Sequence, residues 1–486
     1  MTARNVMILG TTSGAGKSWL TTALCRWYAR QGLKVAPFKA QNMSNNARVV
    51  DGGEIGSAQY FQALAARALP DVRMNPLLLK PERDTHSQVV LMGQVSDELS
   101  AMPWRGRSEK VWPAIASALD ELRAENDVVV IEGAGSPAEI NLMQSDIVNL
   151  RVARHANARC LLVTDIDRGG AFAHLYGTWA LMPEADRALL RGFVLNRFRG
   201  DASLLAPAPQ QLEQLTGVPT VATLPMWWQH GLPEEDGVFD ERPSGGELVD
   251  GRPLRDIAVI AWPRISNLDE FQPLKNIPGV RLRWVRTSAA LAGADIIVLP
   301  GSKHTSSDLA WLRAQGLDQA VARHAARGGA VLGICGGLQV LGEALIDPHG
   351  IDGNAAGLGL LPLVTVFEPA KTVQRRSARF GALAGVWSAL SHVDVQGYEI
   401  HHGQTRPHAA MAAAGDVAVP VMSDALAWQN AAGNVLGVYL HGLLEDAAVL
   451  HALFGASAPT LDSVFDGLAD FAEQHFDAGV LPALIA

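Results

Sequence analysis

The stretch Gly10-Thr11-Thr12-Ser13-Gly14-Ala15-Gly16-Lys17-Ser18 constrains this chain more than any other. It follows a short apolar run, Val6-Met7-Ile8-Leu9, and opens a helical pattern from Ser18 to Arg30. A glycine-rich turn between a strand and a helix is the setting a phosphate cradle needs. Backbone N–H groups and the helix N-terminus face the anion, Lys17 reaches the terminal phosphates, and Ser18 can ligate Mg2+. Thr12, Gly14, Gly16, Lys17 and Ser18 are the nucleotide-binding candidates. Counted from Gly10, the loop is one residue longer than the usual G-x-x-x-x-G-K-[ST] pattern.

Further apolar runs continue the alternation. Lys34 to Phe38, Val128 to Ile131, Cys160 to Val163 and Gly192 to Leu195 read as strands separated by helical segments. Runs without polar interruption suit strands buried on both faces of a parallel sheet. The first half is therefore expected to be a doubly wound, mostly parallel α/β domain. With 486 residues the chain exceeds what one core supports, so a second domain is expected. Between Trp228 and Arg255 the pattern breaks into an acidic, Gly/Pro-rich stretch. Beyond it Ile257 to Ile260, Ile296 to Leu299, Ala330 to Ile334 and Val435 to Leu440 form a second α/β pattern. The expected division is 1–228 for the nucleotide-binding domain, 229–254 for a linker, 255–450 for the second domain and 451–486 for a helical tail.

A net charge of −9 argues against nucleic acid as a partner, because phosphate backbones call for clustered Lys and Arg. Three cysteines make no disulfide framework. Cys25 and Cys160 fall within a helical and a strand pattern and read as small packed hydrophobes. No signal peptide is expected from the opening residues, and no apolar run reaches the roughly 18 residues of a membrane span. The cytoplasm is the expected location, without a membrane partner.

In the first half, Glu132 ends a strand and precedes Gly133-Ala134-Gly135. A carboxylate at the C-terminal end of a parallel strand points into the ligand crevice, so Ser18 and Glu132 are the metal candidates. Lys39-Ala40-Gln41-Asn42-Met43-Ser44-Asn45-Asn46 reads as an amide-dense loop at the same sheet edge. Its amides suit substrate carboxylates or phosphates, and equally suit turns. Gln41, Asn42 and Asn45 are kept as substrate candidates. After the strand Cys160–Val163 comes Asp165-Ile166-Asp167-Arg168-Gly169-Gly170. Either Asp suits a metal and Arg168 suits an anion, although capping roles fit as well.

In the second half, Gly333-Ile334-Cys335-Gly336-Gly337 follows an apolar strand and precedes a helix. This is the strand–turn–helix setting of a nucleophile elbow. The helix N-terminus favours thiolate, and the Gly336 N–H can stabilise an oxyanion. Gly301, in the turn Leu299-Pro300-Gly301-Ser302, is the second oxyanion candidate. His441 ends another strand and is the candidate base. Position 443, two residues on, holds Leu443, and His401, His402 and His304 read as lining or packing residues.

These second-half residues resemble the class I glutamine amidotransferases, which hydrolyse glutamine through a cysteinyl thioester. That family normally places a Glu two residues after the His; its absence here matches the branch that amidates corrinoids. Whether Glu399 or a backbone group orients His441 stays open. The long phosphate loop resembles dethiobiotin synthetase and its relatives, which use ATP to activate a carboxylate. Partition-type ATPases carry an extra lysine where this chain has Thr12. Over about 1–450 the chain resembles the glutamine-hydrolysing corrinoid amidotransferases. The resemblance rests on Gly10 to Ser18, Ala36 to Met43, Gly53 to Gly56, Met74 to Pro81, Ile131 to Leu142, Asp165 to Gly170, Asn196 to Asp201, and the Cys335 and His441 motifs. It implies ATP and Mg2+ as cofactors and glutamine as nitrogen donor. It also implies a corrinoid substrate, adenosylcobyrinic acid a,c-diamide, amidated at its b, d, e and g side chains. The a,c-diamide synthase shares the architecture but is not expected to carry the string Phe38 to Met43.

Overall fold

The computed structural model describes residues 3–83, 85–228, 230–233, 244–245, 255–456 and 458–486. The chain divides into two compact units. Met1–Ser44, Val50–Leu232 and Thr460–Ala486 form the first, and Asn45–Val49 with Pro233–Pro459 form the second. The expected linker, 229–254, lies outside the described residues except at 230–233 and 244–245.

The first unit is built on β1 (Arg4–Gly10), β2 (Val35–Phe38), β3 (Val128–Glu132), β4 (Arg159–Asp165), β5 (Leu190–Phe198) and β6 (Thr220–Pro225). Their order across the sheet is β6-β5-β4-β1-β3-β2, parallel throughout. Strands covered on both faces show their burial in composition: Val128–Ile131 and Leu161–Val163 are fully buried. Strand order reverses beside β1, so the ends of β1, β3 and β4 border the crevice where such sheets hold ligands. Helix α1 (Lys17–Arg30) starts there.

The C-terminal segment, expected as a separate tail, contains the helix Leu461–His475, which belongs to the first unit. Its apolar face, Val464, Phe465, Leu468, Ala469 and Ala472, is buried in the core that also holds Leu20, Leu24 and Tyr28 of α1. Its acidic face meets α1 as well. Arg26 bonds Asp466 at 2.8 Å and Asp462 at 2.9 Å, and the Tyr28 hydroxyl donates to the Leu481 carbonyl at 3.0 Å.

The second unit carries β7 (Arg255–Ile260), β8 (Val280–Val285), β9 (Ile296–Leu299), β10 (Ala330–Ile334), β11 (Leu363–Arg379), β12 (Asp394–Pro407), β13 (Ala427–Gln429) and β14 (Val435–Val438). In its main sheet β8-β7-β9-β10-β14 run parallel, and β13 closes antiparallel on β14. β11 and β12 pair as a long antiparallel hairpin in another sheet. The α/β class read from the sequence describes both units. Among the described residues, no helix is long and apolar enough to cross a membrane.

Candidate functional site

In the first unit, Lys17 and Ser18 open α1 beneath the loop. The Lys17 ammonium donates to the carbonyls of Thr12 at 3.0 Å and Gly135 at 3.1 Å. Gly14 and Gly16 both take positive φ, 70° and 101°, and Asn196 at the end of β5 donates to the Ala15 carbonyl at 2.9 Å. Glu132 gathers three donors: the Ser18 hydroxyl and Lys39 ammonium, each 2.8 Å from Oε1, and the Gln62 amide, 2.6 Å from Oε2. Burial pushes its carboxyl upward, but Lys39, Gln62 and Ser18 outweigh that and hold it below the ordinary Glu value. Glu132 is thus a carboxylate, beside a hydroxyl, at the foot of the phosphate loop.

The segment read as an amide loop is partly a strand. Gln41–Met43 pairs in parallel with Leu77–Leu79. Gln41 and Asn42 are buried there while Met43 is exposed. Asn45 lies in the other unit, so the structure places the substrate candidates in two groups. Arg168 is exposed and reaches Asp165 at 3.3 Å; Arg197 holds the same carboxylate at 2.9 Å. Asp167 pairs with Arg199. Among the described residues no group of three or more His, Cys, Asp or Glu is arranged to hold a metal.

In the second unit, Cys335 sits between β10 and helix α2 (Gly336–Leu341) at φ 52°, ψ −105°. A non-glycine residue there carries strain of about 1–3 kcal/mol, which the surrounding packing must hold. The packing is close: a Cβ on Gly337 would stand 1.9 Å from the Leu299 carbonyl, so α2 reaches β9 only with glycine there. Similarly, a Cβ on Gly301 would stand 2.6 Å from the His441 ring. Gly336 lies against the Ser302 backbone nitrogen, which brings the two oxyanion candidates to one place. The Cys335 thiol is buried, 3.7 Å from the Ile400 carbonyl and near enough to His441 to raise its pKa.

His441 continues β14 and is pinned to β12 by mutual backbone hydrogen bonds with Tyr398, whose ring stacks on its own at 5.5 Å. Its Nδ1 meets Glu270 Oε1 at 3.2 Å, and the other Glu270 oxygen accepts the Gly442 N–H at 3.0 Å. Both side chains are buried. Burial pulls the imidazole pKa down, but Glu270 and Cys335 outweigh it and push the value up to about 10.

Glu270 is the residue the sequence reading missed. It lies 171 positions before His441, so no local spacing points to it. The available signal was two adjacent acids, Asp269 and Glu270, set between Leu268 and Phe271. Glu399 is bound elsewhere, by His401 at 2.9 Å, Arg376 at 2.7 Å and Gln374 at 2.9 Å. His304 precedes the helix Thr305–Ala314, with Nδ1 at 3.3 Å from Ser306. Cys25 and Cys160 are buried, and burial pushes the Cys160 thiol up to about 12 and the Cys25 thiol higher, which disfavours the reactive thiolate in both.

A phosphate-loop unit and a unit with a Cys elbow beside a buried His define a class, the nucleotide-dependent enzymes fused to a glutamine amidotransferase. Residues 6–233 match the CobQ/CobB/MinD/ParA nucleotide binding domain, and residues 256–449 match the CobB/CobQ-like glutamine amidotransferase domain. Cobyric acid synthase of Variovorax paradoxus (strain S110) is 81% identical over 486 residues, covering 100% of both chains. That of Polaromonas sp. (strain JS666 / ATCC BAA-500) is 77% identical over 100% of this chain and 99% of its own. That of Leptothrix cholodnii is 64% identical over 100% and 97%. The chain belongs to the cobyric acid synthase family.

Proposed function

We propose that this chain carries out the ATP-dependent amidation of the b, d, e and g carboxylates of adenosylcobyrinic acid a,c-diamide, with ammonia drawn from glutamine. The reading is supported above all by the buried Cys335–His441–Glu270 array on the same chain as a phosphate loop. The name shared by the full-length relatives points to the corrinoid. Work on small diffusible substrates suits the cytoplasm.

At the glutaminase site, Cys335, its thiol proton taken up by His441, attacks the side-chain amide carbon of glutamine. The N–H groups of Gly301 and Gly336 take the charge on the carbonyl oxygen; one such donor is worth about 2.7–4 kcal/mol. His441, cationic below about pH 10, gives its proton to the departing nitrogen, which leaves as ammonia. Neutral His441 then takes a proton from water attacking the thioester, releasing glutamate and restoring the thiol pair. Glu270 holds Nδ1 and stabilises the cation, the task a Glu at position 443 would otherwise have.

At the other site a corrinoid carboxylate oxygen attacks the γ-phosphorus of ATP and ADP leaves. Ammonia displaces phosphate from the resulting acyl phosphate, and the amide forms. Lys17 turns from its loop carbonyls to the phosphates and offsets the charge developing there. The Ser18 hydroxyl and Glu132 carboxylate, sharing one hydrogen bond, are hard oxygen donors that would hold Mg2+. Bound there, the metal would neutralise phosphate charge. Lys39, beside Glu132 at 2.8 Å, suits the substrate carboxylate, and Gln41, Asn42 and Arg168 are proposed to hold the remaining polar groups.

The direct test supplies glutamine, ATP, Mg2+ and the a,c-diamide, and counts added amides by mass. Successive one-unit replacements of carboxylate by carboxamide at the b, d, e and g positions are expected. No amide added to the a,c-diamide, with two added when the parent acid is supplied in its place, would instead put the chain with the a,c-diamide synthases.

A further inference from the structure

The turn that presents Glu270 is fixed by residues from the other end of the sequence. Leu268–Phe271 forms one turn of 3-10 helix, with Asp269 and Glu270 both buried. The Asn46 side-chain carbonyl accepts from the Leu268 N–H at 3.0 Å, and the Ala47 N–H donates to the Asn267 side chain at 3.0 Å. Arg48 donates through Nε to Asp269 at 3.0 Å and through Nη1 to Glu445 at 2.7 Å, while Nη2 bonds both carboxylates. Its guanidinium lies 5.3 Å from the centre of the Tyr398 ring, the ring stacked on His441. The Val49 carbonyl accepts from Arg375 at 3.1 Å. Asn45–Val49 is thus a detached piece of the second unit, while the residues on both sides of it belong to the first. It lies within the stretch that matches a nucleotide binding domain, some 200 residues before the matched amidotransferase domain.

We propose that Arg48 is a positioning residue of the glutaminase, and that a competent glutaminase needs Asn45–Val49 as well as 255–450. The proposal rests on the Cys335–His441 reading above. Three carboxylates, Asp269, Glu270 and Glu445, lie together around Arg48, Tyr398 and His441, with Cys335 beyond. Adjacent carboxylates with little water do not all stay charged without a cation among them. Arg48 is that cation for Asp269 and Glu445, and its planar fork fits both at once. Without it, either one carboxyl takes a proton or the turn shifts to separate them. Both outcomes loosen the Glu270–His441 bond, and the imidazolium loses its partner.

Three measurements on the full chain decide this. Arg48→Met is expected to lower kcat for glutamine hydrolysis by about 10- to 100-fold, the penalty of a misplaced catalytic group, with KM changed far less. The alkaline limb of its pH profile should move downward, because His441 loses the carboxylate that raises its pKa. Ammonia-driven amidation should stay within about twofold of the parent chain, and Arg48→Lys should recover part of the hydrolysis. Hydrolysis by Arg48→Met at the parent rate with an unmoved limb would overturn the proposal. Should Arg48→Met lose ammonia-driven amidation too, Glu445→Gln decides: a selective fall in hydrolysis supports the clamp, and unchanged hydrolysis overturns it. A Cys335→Ala control that still hydrolyses glutamine would overturn the reading of the site itself, whatever Arg48 does.

Discussion

His441 must hold a proton to give one away, and the charges around it set the range in which it does. Its pKa is raised to about 10, so the cation persists through neutral pH and is lost as pH climbs through that value. Glutamine hydrolysis is therefore expected to fall along an alkaline limb near pH 10. Removing the Glu270 charge removes the largest cause that raises the value, leaving Cys335 alone against burial. Glu270→Gln should shift the limb toward lower pH and reduce kcat, since an amide still bonds Nδ1 but no longer balances the cation. Rates of glutamate release between pH 6 and 11 would check this, and an unmoved limb would remove Glu270 from the mechanism. At the other site Glu132 carries the analogous weight, a buried charge kept ionised by Lys39.

Among the elements, the helix Leu461–His475 shows how a stretch remote in sequence supports the nucleotide site. It packs on α1, the helix that Lys17 and Ser18 open, and Leu468 within it is fully buried. Deleting such a side chain typically costs about 2–5 kcal/mol. Leu468→Ala is thus expected to lower the urea concentration at which ammonia-driven amidation is lost, with glutamine hydrolysis less affected. Following both activities across a urea series tests it, and parallel loss of the two would argue against the assignment. In the second unit the comparable dependence is of α2 on β9, where Gly337 has no room for a methyl group.

At the scale of the whole molecule, two chemistries share one chain, and substitutions should separate them. Cys335→Ala is expected to abolish amidation driven by glutamine while ammonia still serves. Lys17→Ala should abolish amidation with either donor, because both routes pass through the acyl phosphate. Product mass with each nitrogen source distinguishes the cases. Failure of Cys335→Ala with both donors would undo the two-site scheme, and full activity of Lys17→Ala would undo the role of the phosphate loop.

What the sequence by itself determined are features written in contiguous residues. Apolar runs reveal strands buried on both faces, and a glycine loop between strand and helix reveals the phosphate cradle. The Gly-Ile-Cys-Gly-Gly elbow marks a candidate nucleophile because the turn needs small neighbours. The tertiary structure decided what depends on sequence-distant partners. Leu443 marked where an acid was lacking, but only folding brings Glu270 to His441 and sends Glu399 to His401 instead. Arg48 and the C-terminal helix are the same case: nothing local in the sequence singles out Arg48, and the tail reads only as helical. Their significance lies in partners hundreds of residues away. A spacing rule sees a motif only where the backbone itself fixes the geometry. Where a buried charge finds its counter-charge across the fold, the requirement is set by desolvation in three dimensions, and any segment that arrives there can meet it.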